Sequence, residues 1–157
     1  MEEIIQWIVS SNRVRFEFFT PSYLNKGEEM KIIIQNEIDL DGEMEMVEEI
    51  RDVEVVEKGG FLYLTYQNEE KERVVLKISE REATMTRFSK PKSIMQFGNK
   101  ETTVTQIATP VGIQILHVVT DHYEKRENQI TVGYALQIPQ TGQDLARYHL
   151  KIKWGSF

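Results

Sequence analysis

Apolar and polar residues alternate in short segments from Met30 to the end of the chain, and no helical period is sustained. The alternation predicts strands near residues 30–38, 44–56, 61–67, 73–79, 83–88, 93–98, 102–108, 112–123, 130–138 and 145–154. Turn-forming residues separate them, with a spacing of about 8–12 residues that is typical of all-β folds. We therefore predict a sequential antiparallel meander whose strands close into a barrel or fold into a sandwich.

The last two predicted strands have the clearest inward and outward faces. Every second residue is apolar, so one face is expected in the core and the other in water. The inward set is Ile130, Val132, Tyr134, Leu136, Ile138, Ala146, Tyr148, Leu150, Ile152 and Trp154. In residues 44–56 the apolar phase changes between Met46 and Val47, which predicts a bulge or sharp bend near residues 46–52.

The composition agrees with a β protein of one domain. Ile, Val and Thr together number 40 against 4 Ala in a chain of 157 residues, and β-branched side chains fit a pleated sheet better than a helix. The absence of cysteine excludes disulfides, thiol catalysis and iron–sulfur clusters, and it suits the cytoplasm. No apolar run approaches the roughly 20 residues that span a bilayer, so we expect no membrane association.

Charge is distributed unevenly along the chain. Residues 37–57 hold ten acids and one base, whereas the whole chain carries a net charge of −6. A protein of this charge should repel nucleic acid, and we expect no such partner. The exception to the acidic character is a basic loop at residues 87–92, in which Arg87, Lys90 and Lys92 are candidates for contact with a partner.

Candidate catalytic chemistry is sparse. His117 and His122 are five residues apart, which on a regular strand places them on opposite faces unless a bulge intervenes, and His149 is on an outward position. A weak metal site combining one of the first two with Asp121 is the alternative to surface histidines. The sequence contains no nucleophile elbow and no phosphate-binding glycine motif. We predict no catalytic residues, no metal and no cofactor, and hence a protein that is not an enzyme.

Several segments resemble a known family as a set. They are residues 52–59, 61–66, 85–92, 109–112 and 122–123, and they resemble the YwiB-like family of small bacterial proteins of unknown function. The resemblance implies a calycin-like barrel, related in shape to lipocalins, of about eight to ten strands. It implies no activity and no catalytic residues.

Residues 1–29 differ from the rest of the chain and fall outside the resemblance. They contain an apolar cluster near Trp7 and a polar stretch that ends at Glu29. Residues 26–30 can be encoded by a purine-rich ribosome-binding sequence followed by a start codon at Met30. Our expectation is a barrel domain at residues 30–157, preceded either by an accessory extension or by residues that are not translated.

Two functions follow from a barrel of this size. The interior of such a barrel is wide enough either to be filled by side chains or to hold one small ligand. In the first hypothesis a small apolar or amphipathic ligand lies among the inward aromatics Tyr63, Tyr134, Tyr148 and Trp154; the alternative is that these residues simply form the core. In the second, a regulatory protein meets a protein partner through the acidic residues 37–57 or the basic loop.

Overall fold

The computed structural model describes residues 29–98 and 101–157, and in these ranges it contains eleven β-strands and no helix. The strands are β1 Lys31–Leu40, β2 Glu43–Asp52, β3 Glu54–Lys58, β4 Phe61–Gln67, β5 Arg73–Ile78, β6 Glu82–Arg87, β7 Ser93–Gly98, β8 Thr102–Thr109, β9 Gly112–Arg126, β10 Gln129–Gln137 and β11 Asp144–Gly155. All paired strands are antiparallel. The predicted all-β fold is confirmed. The interpretation of residues 1–28 lies outside the described residues.

The strands form two sheets. The first sheet has six strands in the order β2-β1-β11-β10-β9-β8, and the second has five in the order β3-β4-β5-β6-β7. The last strand therefore lies in the middle of the first sheet, between β1 and β10. Closure into one continuous barrel is not confirmed, because no backbone hydrogen-bond ladder joins the two sheets among the described strands and both sheets are open.

Of the bulge or sharp bend predicted near residues 46–52, the bulge is wrong. The register of β1 with β2 runs without interruption from Lys31 opposite Asp52 to Leu40 opposite Glu43. The apolar phase changes because Met44 is 64% exposed on the outer face, so it does not belong to the core pattern at all. The chain instead passes from the first sheet to the second at Val53, which divides the predicted long strand into β2 and β3.

The core lies between the inward faces of the two sheets. The predicted inward residues of β10 and β11 are all buried, and Ile138, just after β10, is partly buried against the core. From the second sheet, Leu64 and Leu76 are fully buried at facing positions of β4 and β5. Side chains of both sheets thus exclude water from the middle of the molecule, where apolar burial stabilises the fold.

Candidate ligand-binding cleft

One end of the sandwich opens into a cleft of about 610 Å³ between the two sheets. It lies where β1 begins and β11 ends, and its other walls are the β3–β4 hairpin, the β5–β6 turn and the β9–β10 turn. We call it the Trp154 cleft. Its apolar floor is formed by Met30, Val55, Leu62, Ile78 and Trp154.

The floor of the Trp154 cleft is fixed by the first sheet. Trp154 is 3% exposed and lies opposite Ile32 in the β1–β11 register. Its backbone N–H donates to the carbonyl oxygen of Asn128 at 3.2 Å, which ties the end of β11 to the β9–β10 turn. The indole therefore has a fixed position at the end of the core, with an apolar ring beside the open space.

The rim of the cleft is charged. Lys58 and Lys125 lie there with Glu57, Glu80 and Glu127. The Nζ of Lys125 is 3.3 Å from Oε1 of Glu80, and the lysine side chain is 19% exposed while that of the glutamate is 79% exposed. A charged ligand group at this rim would therefore contact both cations and anions. The Lys125 side chain is less exposed than that of Glu80.

Tyr123 holds the wall of the cleft that is formed by the β5–β6 turn. Its hydroxyl lies 2.8 Å from the carbonyl oxygen of Ser79 and 3.0 Å from that of Glu82, and it donates its proton to these acceptors. Burial, with Glu80 and Glu82 nearby, raises the pKa of Tyr123 well above its ordinary value. The sequence predicts no role for Tyr123, which occurs there only within residues 122–123 of the family resemblance.

Of the four aromatics predicted to line a ligand site, only Trp154 borders the cleft. Tyr134 and Tyr148 are stacked with ring centroids 4.6 Å apart and an interplanar angle of 7°. Phe97 from the second sheet packs against Tyr134 at 4.8 Å. Six residues of extended strand, about 20 Å, separate Tyr148 from Trp154. The tyrosine pair is therefore part of the packed core and does not reach the cleft.

The tyrosine pair carries polar atoms into that core. Burial raises the pKa of Tyr134, and the neighbouring polar side chain of Asn36 offsets part of that rise. Burial and the neighbouring Tyr134 also raise the pKa of Tyr148. Among the described residues, the Tyr148 hydroxyl, Oδ1 of Asn36 and Oγ1 of Thr120 have no hydrogen-bond partner.

The inward position predicted for Tyr63 is wrong. The buried residues of β4 are Leu64 and Tyr66, so Tyr63 lies on the outward parity and is only partly buried. There it stands between Val56 and Lys77 on the neighbouring strands. All residues of β4 except Thr65 and Gln67 are apolar or aromatic, so alternation alone could not assign its faces.

The predicted basic surface at residues 87–92 is only partly available. Arg87 has a side chain 21% exposed, with Nε 3.7 Å from Oε1 of Glu72, so it belongs to the structure of the hairpin. Lys90 and Lys92 are exposed, and the Nζ of Lys92 is 5.9 Å from the centroid of the Phe88 ring. The guanidinium of Arg73 lies 5.0 Å from the same centroid. Cations therefore lie on an aromatic ring that is 45% exposed.

The comparisons with known proteins identify the family. A profile described as "Domain of unknown function (DUF1934)" matches residues 32–152. The chain belongs to this family. Its fold is also similar to that of the solved "ywiB protein from Bacillus subtilis", with a TM-score of 0.66 and 18% identity over 82% of this chain and 92% of that one. No curated protein matches.

The family assignment confirms the resemblance to YwiB-like proteins of unknown function. At 18% identity the solved structure is evidence for the fold alone. No helix in the described part of this DUF1934 chain is long and apolar enough to cross a membrane.

A bulge in β9 changes the relation between the histidines of this DUF1934 member. Gly133 of β10 pairs with His122, and the next residue pairs with Thr120, so Asp121 is the extra residue. The bulge turns His117 and His122 to the same outer face, because it reverses the parity between them. They remain roughly four strand positions apart, about 13 Å, and no group of three or more metal-ligating side chains exists among the described residues.

Proposed function

We propose that this protein binds a small amphipathic molecule in the Trp154 cleft. The observation that carries the proposal is the cleft itself, whose volume of about 610 Å³ lies within the range of small-molecule sites. Its position differs from the one expected from sequence, since the ligand would lie at the end of the sandwich and not among Tyr134 and Tyr148. The proposal is for binding and not for catalysis.

The distribution of polar and apolar groups supports an amphipathic ligand. The floor offers Leu62, Ile78 and Trp154 to an apolar body, and the rim offers charged groups to a polar head. Apolar contact supplies most of the free energy at such a site, while a few polar groups set the orientation. An anionic head would contact the two cations of the rim, Lys58 and Lys125.

The family resemblance implies a barrel, and in this proposal the two sheets together form a barrel-like shell around the ligand. The two sheets approach at β7 and β8, where the hydroxyl of Thr103 donates to the carbonyl of Gln96 at 2.8 Å and that of Thr105 donates to Ile94 at 2.7 Å. Side-chain hydroxyls thus bridge the seam between the sheets. We infer that the sandwich behaves as a barrel-like shell around the ligand, in the cytoplasm.

The test is a fluorescence titration with anilinonaphthalene sulfonate, an anionic amphipathic dye, in a Trp7→Phe background that leaves Trp154 as the one indole of a chain with two. Dye binding should quench or shift the Trp154 emission. Val55→Phe, which fills part of the cleft, should weaken binding by roughly tenfold or more.

Val56→Phe is the matched control, because Val56 is the next residue on β3, is 46% exposed and does not border the cleft. It should leave the dye affinity unchanged. Equal binding by both variants, or binding with no change in Trp154 emission, would contradict the proposal.

A second candidate function is contact with a protein partner through the 87–92 loop. The observation that favours it is the exposed ring of Phe88 beside Arg73 and Lys92. An exposed aromatic between cations is suited to an acidic, aromatic-containing segment. Reversing the charges of Lys90 and Lys92 should abolish such an interaction and leave dye binding in the Trp154 cleft intact.

A further inference from the structure

The hairpin formed by β8 and β9 extends beyond the rest of the first sheet. The last pair between β9 and β10 joins His117 to Gln137, so residues 112–116 of β9 pair only with β8 among the described strands. An isolated two-stranded hairpin is marginally stable in water. This one is anchored at its base by Ile107 and Leu116, which are 6% and 3% exposed.

The outer face of the hairpin is apolar and exposed. Val104 is 62% exposed, Ile113 is 54% exposed and Ile115 is 59% exposed. Ile115 faces Gln106, which places it diagonally next to Val104, and Ile113 faces Ala108. Together with Val111 at the turn, 58% exposed, these residues form one continuous surface that we call the hairpin patch.

The hairpin patch also lacks charge. No Asp, Glu, Lys or Arg occurs between Glu101 and Asp121, in a chain of which 28% is charged. Natural edge strands commonly carry charged side chains that prevent association with another chain. Here that protection is missing over the whole hairpin, and a contiguous exposed apolar surface of this kind marks an interaction site.

The charges around other exposed apolar residues are different. Met44 and Met46 lie beside Asp39 and Glu37 in the β1–β2 register, and Phe88 lies beside cations. Two copies brought together at the methionines would place acids against acids. The hairpin patch contains no Asp, Glu, Lys or Arg, so two copies of a molecule whose net charge is −6 can bring these faces together without placing like charges in contact.

We propose that the hairpin patch is the interface of a two-fold symmetric homodimer, in which the outer faces of the two β8–β9 hairpins pack against each other. A two-fold contact uses the same patch on both copies, which is what a self-complementary surface provides. The contact covers the extended part of the hairpin and removes Val104, Ile113 and Ile115 from water. A partner with a charged face gains nothing here, because the patch offers no counter-charge.

Sedimentation equilibrium of the full chain tests the dimer. The wild type should show twice the 18.4 kDa chain mass, with dissociation on dilution. Ile115→Lys should raise the dimer dissociation constant by roughly a hundredfold or more, because it introduces a charge with no partner into the interface. Val104→Lys, on the other strand of the patch, should have the same effect.

Met46→Lys is the matched control, since Met46 and Ile115 are each 59% exposed on the outer face of the first sheet. It should leave the dimer intact. The thermal midpoint of the wild type should also rise with protein concentration, whereas that of Ile115→Lys should not. A wild type of single-chain mass at all concentrations, a dimer unaffected by Ile115→Lys, or equal dissociation by Met46→Lys would overturn the proposal.

Discussion

At the scale of single residues, the core combines close aromatic packing with unsatisfied polar atoms. Tyr134 and Tyr148 stack in parallel, yet the Tyr148 hydroxyl has no hydrogen-bond partner among the described residues, whereas Tyr134 has the polar side chain of Asn36 as a neighbour. The sequence predicted that both rings point inward, because alternation fixes direction along a strand. It could not predict which hydroxyl is bonded, because that depends on the relative positions of side chains on three strands.

This difference gives a prediction about the two hydroxyls. Tyr148→Phe removes a buried hydroxyl without a partner among the described residues, so the free energy of unfolding should be unchanged or should rise by up to about 1 kcal/mol. Tyr134→Phe removes the hydroxyl that has the buried polar side chain of Asn36 as its neighbour and should cost about 1–3 kcal/mol. Urea denaturation of both variants measures the two values. Equal losses would mean that the two hydroxyls are equivalent.

At the scale of elements, the sequence predicts most strands correctly but does not predict where a strand is divided or contains a bulge. The turns at Asp41 and Gly59 ended strands as expected, because tight hairpins need residues that adopt positive φ. The change of apolar phase in residues 44–56 predicts a bulge or bend, whereas the structure divides the segment into two strands. The pattern misleads because exposed methionines cannot be distinguished from core methionines by sequence alone. The first sheet has register shifts at Asp121 of β9 and at Leu145 of β11, and the alternation carries no signal for the one at Asp121.

The bulge in β9 can be tested through Gly133. A Cβ on Gly133 would collide with Oδ1 of Asp121, whose other oxygen accepts a hydrogen bond from Arg147 at 3.0 Å. In an Asp121→Ala background, Gly133→Ala should stabilise the strand by about 0.5–1 kcal/mol, as glycine weakens strands. In the wild type that gain should be lost or reversed.

The measurement is a double-mutant cycle of unfolding free energies for these two residues. We expect a coupling energy of about 0.5–3 kcal/mol, as for side chains in direct contact. Additive effects would show that the Asp121 carboxylate does not occupy the space above Gly133.

At the scale of the whole molecule, the cleft at one end of the sandwich was the least predictable feature. The Trp154 cleft is formed by three turns and two strand ends that are distant in sequence, so no local pattern indicates it. The sequence indicates that Trp154 points inward. It does not show that Trp154 borders a cleft whereas Tyr134 and Tyr148 are packed in the core. Whether an inward residue meets another side chain or open space depends on the second sheet.

Four buried tyrosines, one in the second sheet and three in the first, predict that the free energy of unfolding decreases at alkaline pH. Burial raises the pKa of Tyr66, Tyr123, Tyr134 and Tyr148 above the ordinary value near 10. The folded state therefore retains protons that the unfolded chain releases, so this stabilisation is complete below about pH 10 and declines above it. The decline is at most about 1.4 kcal/mol per pH unit for each tyrosine.

Urea midpoints between about pH 8 and about pH 11 measure this decline, and the phenolate absorbance should rise together with unfolding. A folded protein whose tyrosines all ionise near the ordinary value would contradict the prediction.

The place of β11 has a consequence for how the chain can be made. The second sheet consists of strands joined in sequence order, so each can pair with its predecessor as it leaves the ribosome. In the first sheet only β1–β2 and β8–β9–β10 can do so, and these two parts are joined only through β11, which lies between β1 and β10. The first hairpin therefore lacks its neighbour in the first sheet until β11 has been synthesised. Synthesis of β11, more than the appearance of any earlier strand, is the event that allows the first sheet to form.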